Sequence, residues 1–321
     1  MRGPGRSPRR GLSYASDTVR PSPSLGPRLA DLARRYDRTF LDSDPIRWAR
    51  AYADPADREV AAVVAAVCAY GRVQSIHRSV SAALAALTPG PAAALSKRVR
   101  PRLDDRLAGW RHRWTDGQDL AWCLRSVAAA RDEAGSLGAF LESHATGEEP
   151  LRAALVAWRR LADAVPASDA PARRRARAFL LPDPAAGGAC KRTLLLARWC
   201  LRPDDGVDLG IWPPTERLGP RHLLIPLDTH VHRVALDLGL TRRRVASWAA
   251  AREVTDALAR YDPDDPVRFD FALVRPGILG RCKHRHVPDV CGPCDLKECC
   301  RHGAPRGKRQ TVTGSPSPQR A

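Results

Sequence analysis

The sequence contains little from which a sheet or a membrane span could be built. Alternation of β-branched with polar residues is almost absent, which argues against strands and for a chain of helices. The longest apolar run, about residues 61–70, is roughly half of what a bilayer crossing needs. No apolar segment follows the basic N-terminus, so no secretory signal is expected and a cytoplasmic location is read. Thiols stay reduced there, and the 9 cysteines are not read as a disulfide framework. Internal repeats are absent. Lysine is scarce, with 5 against 48 arginines.

Charge is the first positive signal. The net charge is +18. Residues 1–27 hold five arginines and one aspartate, and residues 301–321 hold five basic residues and no acid, which leaves +9 for 28–300. Both tails are rich in proline, serine and glycine and are expected to be disordered. The remaining +9 favours a polyanionic partner, nucleic acid first, although an arginine-biased composition would carry the same sign.

A hydrophobic content of 44% is enough for a core. Alanine- and leucine-rich stretches predict helices at 28–36, 56–70, 73–87, 117–132, 149–164, 170–180, 189–201, 228–238, 246–260 and 267–277. The stretch 57–70 is apolar on nearly all faces and is expected at the centre of the fold. Gly71 and Gly239 read as helix terminators, and Ser247 and Asp264 as N-caps. Residues 203–227 contain five prolines and form a long connection, of a kind that is usually functional or mobile.

Three constellations carry candidate chemistry. In the first, the basic stretch Arg173-Arg174-Arg175 runs through Pro182, Pro184, Gly187 and Gly188 into a second helix near Lys191 and Arg192. A glycine-rich turn leading into a helix offers backbone N–H groups to a phosphate, while an ordinary helix–turn–helix connection needs no such role. Lys191 falls in the first helical turn, where the helix dipole disfavours its charged form; an amine with a lowered pKa can attack a carbonyl-like carbon. A solvated or phosphate-binding lysine would look the same in sequence. In the second, Asp228 begins a helix with Val231, Val234, Leu236 and Leu238 on its apolar side. An aspartate N-cap is worth about 1 kcal/mol without any further role. His230 and His232 are two apart and do not share a helix face.

In the third, five cysteines fall within 282–300: Cys282, Cys291, Cys294, Cys299 and Cys300. One Cys-x-x-Cys pair flanked by single cysteines suits a four-thiolate iron–sulfur cluster better than a zinc ribbon with its two such pairs. His284 and His286 keep a mixed zinc site open, and Cys299 competes with Cys300 for the fourth position. Cys68, Cys123 and Cys200 read as core thiols.

Together these pieces resemble the helix-hairpin-helix DNA glycosylase superfamily, with endonuclease III-type enzymes as the nearest reference. More closely, the chain resembles the domain of unknown function 2400 family within it. The stretches that carry the second resemblance are Asp44-Pro45, Asp57-Arg58-Glu59-Val60-Ala61, Ala69-Tyr70-Gly71-Arg72, Gly135-Ser136-Leu137, Ala189-Cys190-Lys191-Arg192, Asp205-Gly206-Val207-Asp208-Leu209-Gly210-Ile211-Trp212, Pro226-Leu227-Asp228-Thr229-His230-Val231 and Asp270-Phe271-Ala272-Leu273. The superfamily resemblance implies Lys191 as nucleophile toward the sugar of a flipped nucleotide and Asp228 as the carboxylate that assists it. It also implies a [4Fe–4S] cluster on Cys282, Cys291, Cys294 and Cys300.

The expected architecture is all-α and two-lobed, a helix-hairpin-helix glycosylase-like domain over 28–300 with a C-terminal cysteine loop. One lobe is a helical barrel at about 55–205; the other combines about 28–50 with 222–300. Double-stranded DNA is the expected partner, in the nucleoid, and a monomer is expected. Gly187, Gly188, Arg192, Arg233, Arg281, Lys283 and Arg285 are the candidate nucleic-acid contacts. A DNA N-glycosylase with lyase activity is the leading function. A non-catalytic nucleic-acid binder on the same scaffold and a zinc-stabilised interaction module are the alternatives.

Overall fold

The computed structural model describes residues 22–167 and 170–303. Among the described residues the chain forms fifteen α-helices and one two-stranded ribbon. In chain order the helices are α1 (Leu25–Arg35), α2 (Arg47–Arg50), α3 (Pro55–Val67), α4 (Val73–Ala86), α5 (Pro91–Ala94), α6 (Leu103–Arg106), α7 (Gly117–Ala134), α8 (Leu137–Ser143), α9 (Pro150–Asp163), α10 (Pro171–Leu180), α11 (Lys191–Leu201), α12 (Thr229–Asp237), α13 (Trp248–Leu258), α14 (Asp270–Ile278) and α15 (Pro288–Cys291). Between α6 and α7, β1 (Arg111–His112) pairs antiparallel with β2 (Thr115–Asp116). No helix among the described residues is long and apolar enough to cross a membrane.

The centre is α3. Asp54 caps it by accepting the Ala56 N–H at 2.9 Å, with Pro55 in the first turn where its missing N–H costs nothing. From Glu59 to Val67 every residue is buried. A helix without a polar face must be enclosed, and α2, α4, α5 and α11 pack around it. Helices α8, α9 and α10 gather on α7, while α1, α12 and the turn Pro266–Phe269 gather on α14. One continuous hydrophobic core runs through both groups. Most of the expected tails lies outside the described residues. Where they are described, Leu25 is already buried in α1, and Arg301 donates its N–H to the Asp237 carbonyl at 2.9 Å, so the folded part extends past 28–300 at both ends.

The connection 203–227 is packed. The Leu209 and Trp212 N–H groups bond the α11 carbonyls of Trp199 and Cys200 at 2.7 and 2.9 Å. Asp208 is fully buried and meets Arg198 at 3.0 Å and also Arg202. Buried Glu59 accepts from Trp212 Nε1 at 2.7 Å, Gly138 N at 3.1 Å and Arg131 Nη1 at 3.0 Å. Gly138 has to be glycine, because a Cβ there would lie 2.3 Å from the Trp212 ring.

Removing one partner of a buried ion network leaves the other charge uncompensated. Asp208→Ala is therefore expected to cost about 3–5 kcal/mol in urea unfolding at pH 7. Asp204→Ala, which removes the more exposed pair with Arg50, is expected to cost less than about 1 kcal/mol.

Candidate functional site

Helices α4 and α11 with the turn after α3, and α12 with α14, border a cleft of about 960 Å³ that Lys191, Asp228, Asp44, Asp270, Arg192 and Arg233 all help to line. Of the connection 203–227, only Pro226 and Leu227 reach it, so the connection does not fill the cleft.

Lys191 is the first residue of α11. Cys190, immediately before it, takes φ 48, in the left-handed region that is costly for a residue with a side chain. The Lys191 ammonium donates to the Ala69 carbonyl just beyond α3 at 2.8 Å and forms no ion pair among the described residues. Burial holds its pKa below the ordinary 10.5, with Arg192 adding to the effect; Asp228 first, then Asp44 and Asp270, push it back up.

Asp228 caps α12, its Oδ1 accepting the N–H groups of His230 and Val231, both at 2.8 Å. Its Oδ2 accepts no hydrogen bond among the described residues. The other two carboxylates are each matched by an arginine. Asp44 meets Arg275 at 2.7 Å, and Asp270 meets Arg198 at 2.5 Å. Asp270 is almost fully buried and its Oδ1 has no partner. Burial pushes its carboxyl up to about 6 against the pull of Arg198. Sequence reasoning passed over Asp44, Asp270 and Arg198 as site residues. Asp44 and Asp270 stood in the motifs, but burial beside arginines from distant segments is what gives them a place in the cleft.

The remaining candidates are distributed differently. Arg233 is exposed at the cleft. Arg192 lies over the Phe179 ring at 3.7 Å, and burial draws its pKa down to about 10. Gly187 and Gly188 do not line the cleft. Gly187 takes φ 76 and its carbonyl accepts the Trp248 N–H at 2.9 Å, while Gly188 bridges Ser247, so the turn is docked on the start of α13. The helices on either side of the turn pack on different partners, α10 on α7 and α11 on α3. His232 is buried against the Arg243 carbonyl at 2.8 Å and is not paired with His230.

The cysteines form a second site. Cys282, Cys291, Cys294 and Cys300 line one cavity of about 60 Å³, whereas Cys299 lies outside it with its Sγ 3.3 Å from Ser24 Oγ. Along 281–285 exposure alternates: Arg281, Lys283 and Arg285 face solvent, while Cys282 and His284 are partly buried. No three of these thiol sulfurs lie within 4.8 Å of one another among the described residues. Thiolates on a single tetrahedral zinc would be about 3.8 Å apart. The group that does come that close is Asp237, Cys282 and His284. There His284 Nδ1 sits 2.8 Å from Asp237 Oδ2, and Arg301 Nη2 is 2.7 Å from Asp237 Oδ1.

Asparagine caps a helix as well as aspartate does. Asp228→Asn is therefore expected to leave thermal and urea stability nearly unchanged, whereas Asp228→Ala is expected to lose about 1 kcal/mol. Equal losses would show that the charge, beyond the cap, holds α12.

A family model described as Protein of unknown function (DUF2400) matches residues 44–279, a span that contains every cleft residue named above and stops short of Cys282. No curated protein and no solved structure matches the chain. The family match covers well over half of the sequence, and the chain belongs to the DUF2400 family.

Proposed function

We propose that this chain is a DNA N-glycosylase with an associated lyase step, acting on a nucleotide flipped out of a duplex. The observation that carries the reading is the convergence of Lys191 and Asp228, 37 residues apart in sequence, on one cleft where burial favours the neutral amine. The cleft volume of about 960 Å³ is at the upper end of what small-ligand sites occupy, ~300–1,000 Å³, and has room for a nucleotide.

In this reading the Lys191 Nζ lone pair forms a bond to the sugar C1′. The C1′–N bond breaks, and its electron pair leaves with the base, which is protonated as it departs. The amine then gives up two protons, one to Asp228 and one to O4′, as the C1′–O4′ bond breaks and the sugar opens to an imine. Asp228, whose Oδ2 is free of arginine, stabilises the positive charge that develops on the sugar and takes up the proton from the amine. Flipping costs a few kcal/mol of unstacking. Phosphate contacts from Arg233 and from the exposed Arg281, Lys283 and Arg285 would offset it. The four cavity-lining thiols Cys282, Cys291, Cys294 and Cys300 are the residues that would hold a [4Fe–4S] cluster, for which a set of four thiolates is the suitable donor chemistry. When bound, the cluster would cross-link the basic loop and fix its orientation.

Borohydride reduction on abasic or lesion-bearing duplexes is expected to trap a covalent adduct with the wild type and none with Lys191→Ala; equal trapping by the two removes Lys191 from the role. The amine must be neutral to attack, so the trapping rate is expected to rise with pH through a midpoint below 10.5. Asp228 raises the Lys191 pKa, so the residual trapping of Asp228→Asn is expected to rise at still lower pH. Protein purified anaerobically is expected to be brown. Cys299→Ser should keep its iron and Cys300→Ser should lose it; a colourless zinc protein would favour the interaction-module reading.

A further inference from the structure

Of the 8 tryptophans, Trp114 is the exposed one among the described residues, with 48% of its surface open. It stands with Arg113 in the two-residue turn between β1 and β2. The turn is held from below by more contacts than so short a ribbon needs. His112 is buried, with Nδ1 2.9 Å from Ser79 Oγ and Nε2 3.0 Å from the Tyr70 carbonyl. Tyr70 Oη donates to the His112 carbonyl at 2.8 Å and lies 2.7 Å from Thr115 Oγ1. Arg113 takes φ 55, a left-handed conformation ordinarily left to glycine or asparagine. A two-residue hairpin turn calls for a positive φ, and here an arginine supplies it beside a half-open indole.

The indole is also next to the cleft. Its ring packs on Phe179 with centroids 4.5 Å apart, and Phe179 packs on Tyr70 at 4.8 Å. Tyr70 and Gly71 line the cleft, and the Arg113 side chain lies against Gly71, close enough that a Cβ there would be 3.0 Å from its Cδ. Arg111 in β1, Arg113 in the turn and Arg72 at the cleft are exposed and meet no carboxylate among the described residues. An exposed indole with unpaired arginines on the same ribbon and on the adjoining cleft edge offers what an unstacked base and its phosphates require.

We infer that the β1–β2 turn is a second nucleic-acid contact, in which Trp114 stacks on an unpaired nucleobase beside the nucleotide in the cleft and Arg72, Arg111 and Arg113 hold the flanking phosphates. The inference rests on the nucleic-acid reading of the cleft. Its test is the binding, by fluorescence anisotropy at fixed salt, of a duplex with one abasic site and of the same duplex fully paired. Trp114→Ala is expected to weaken binding to the abasic duplex about 5- to 150-fold, with less effect on the paired duplex, and Trp114→Phe to restore most of the loss. If the wild type binds and Trp114→Ala binds equally well, this inference alone is overturned. Equal weakening by Trp114→Ala and Trp114→Phe, in a protein that still melts like the wild type, also overturns it, because a stacking role tolerates phenylalanine. If the wild type binds neither duplex even at low salt, the reading of the cleft falls and this inference falls with it.

Discussion

Arg198 is the residue on which the arrangement of the cleft depends. Its guanidinium is buried and joins three segments that are far apart in sequence: α11, which carries it, the connection through Asp208, and the start of α14 through Asp270. A buried charge with two carboxylate partners fixes geometry more than it adds stability, because the desolvation of all three groups opposes the attraction. Here it fixes which face of α11 looks into the cleft. Lys191, Leu195 and Arg198 follow one another at helical spacing and line the same wall. The lysine is therefore oriented by an ion network two turns away.

The same network sorts the acids around Lys191. Asp44 and Asp270 are each engaged by an arginine, Arg275 and Arg198. Asp228 is engaged only by two backbone N–H groups, both on one oxygen. The three carboxylates act on the lysine together, yet only Asp228 is paired with no cation among the described residues. Difference in pairing, more than in position, separates a structural carboxylate from a chemically available one.

The long elements were legible in the sequence because they bury a periodic stripe. The expected 73–87 and 189–201 appear as α4 and α11 with shifts of a residue or two, and the stretch at 57–70, apolar on nearly all faces, supplies the enclosed α3. Helices α2, α5, α6, α8 and α15 were not legible, since four to seven residues do not complete a readable period. Nor was the ribbon that holds Trp114, whose short strands are fixed by tertiary bonds from Tyr70 and Ser79. Lys191 and Asp228 could be named from their motifs, but their sharing of a cleft follows from packing between distant helices. The length of 203–227 marked it as a functional or mobile connection; two buried side chains, Asp208 and Trp212, tie it down. Cys299 and Cys300 are adjacent in sequence, and only the turn of the chain around the cavity tells them apart.

Helix α12 is nine residues long, about 14 Å, with Asp228 at one end and Asp237 at the other. Asp237 holds His284, two residues past the first cavity cysteine, and Arg301, one residue past the last. The cysteine segment is thus a closed loop whose two ends are pinned to one strut, and the far tip of that strut is the carboxylate of the cleft. In the proposed function, a nucleic acid gripped by the loop and a sugar presented to the carboxylate would be measured against the same ruler. Lengthening or shortening α12 by one residue would turn its two ends about 100° out of phase, so the spacing from 228 to 237 is a dimension of the protein in its own right.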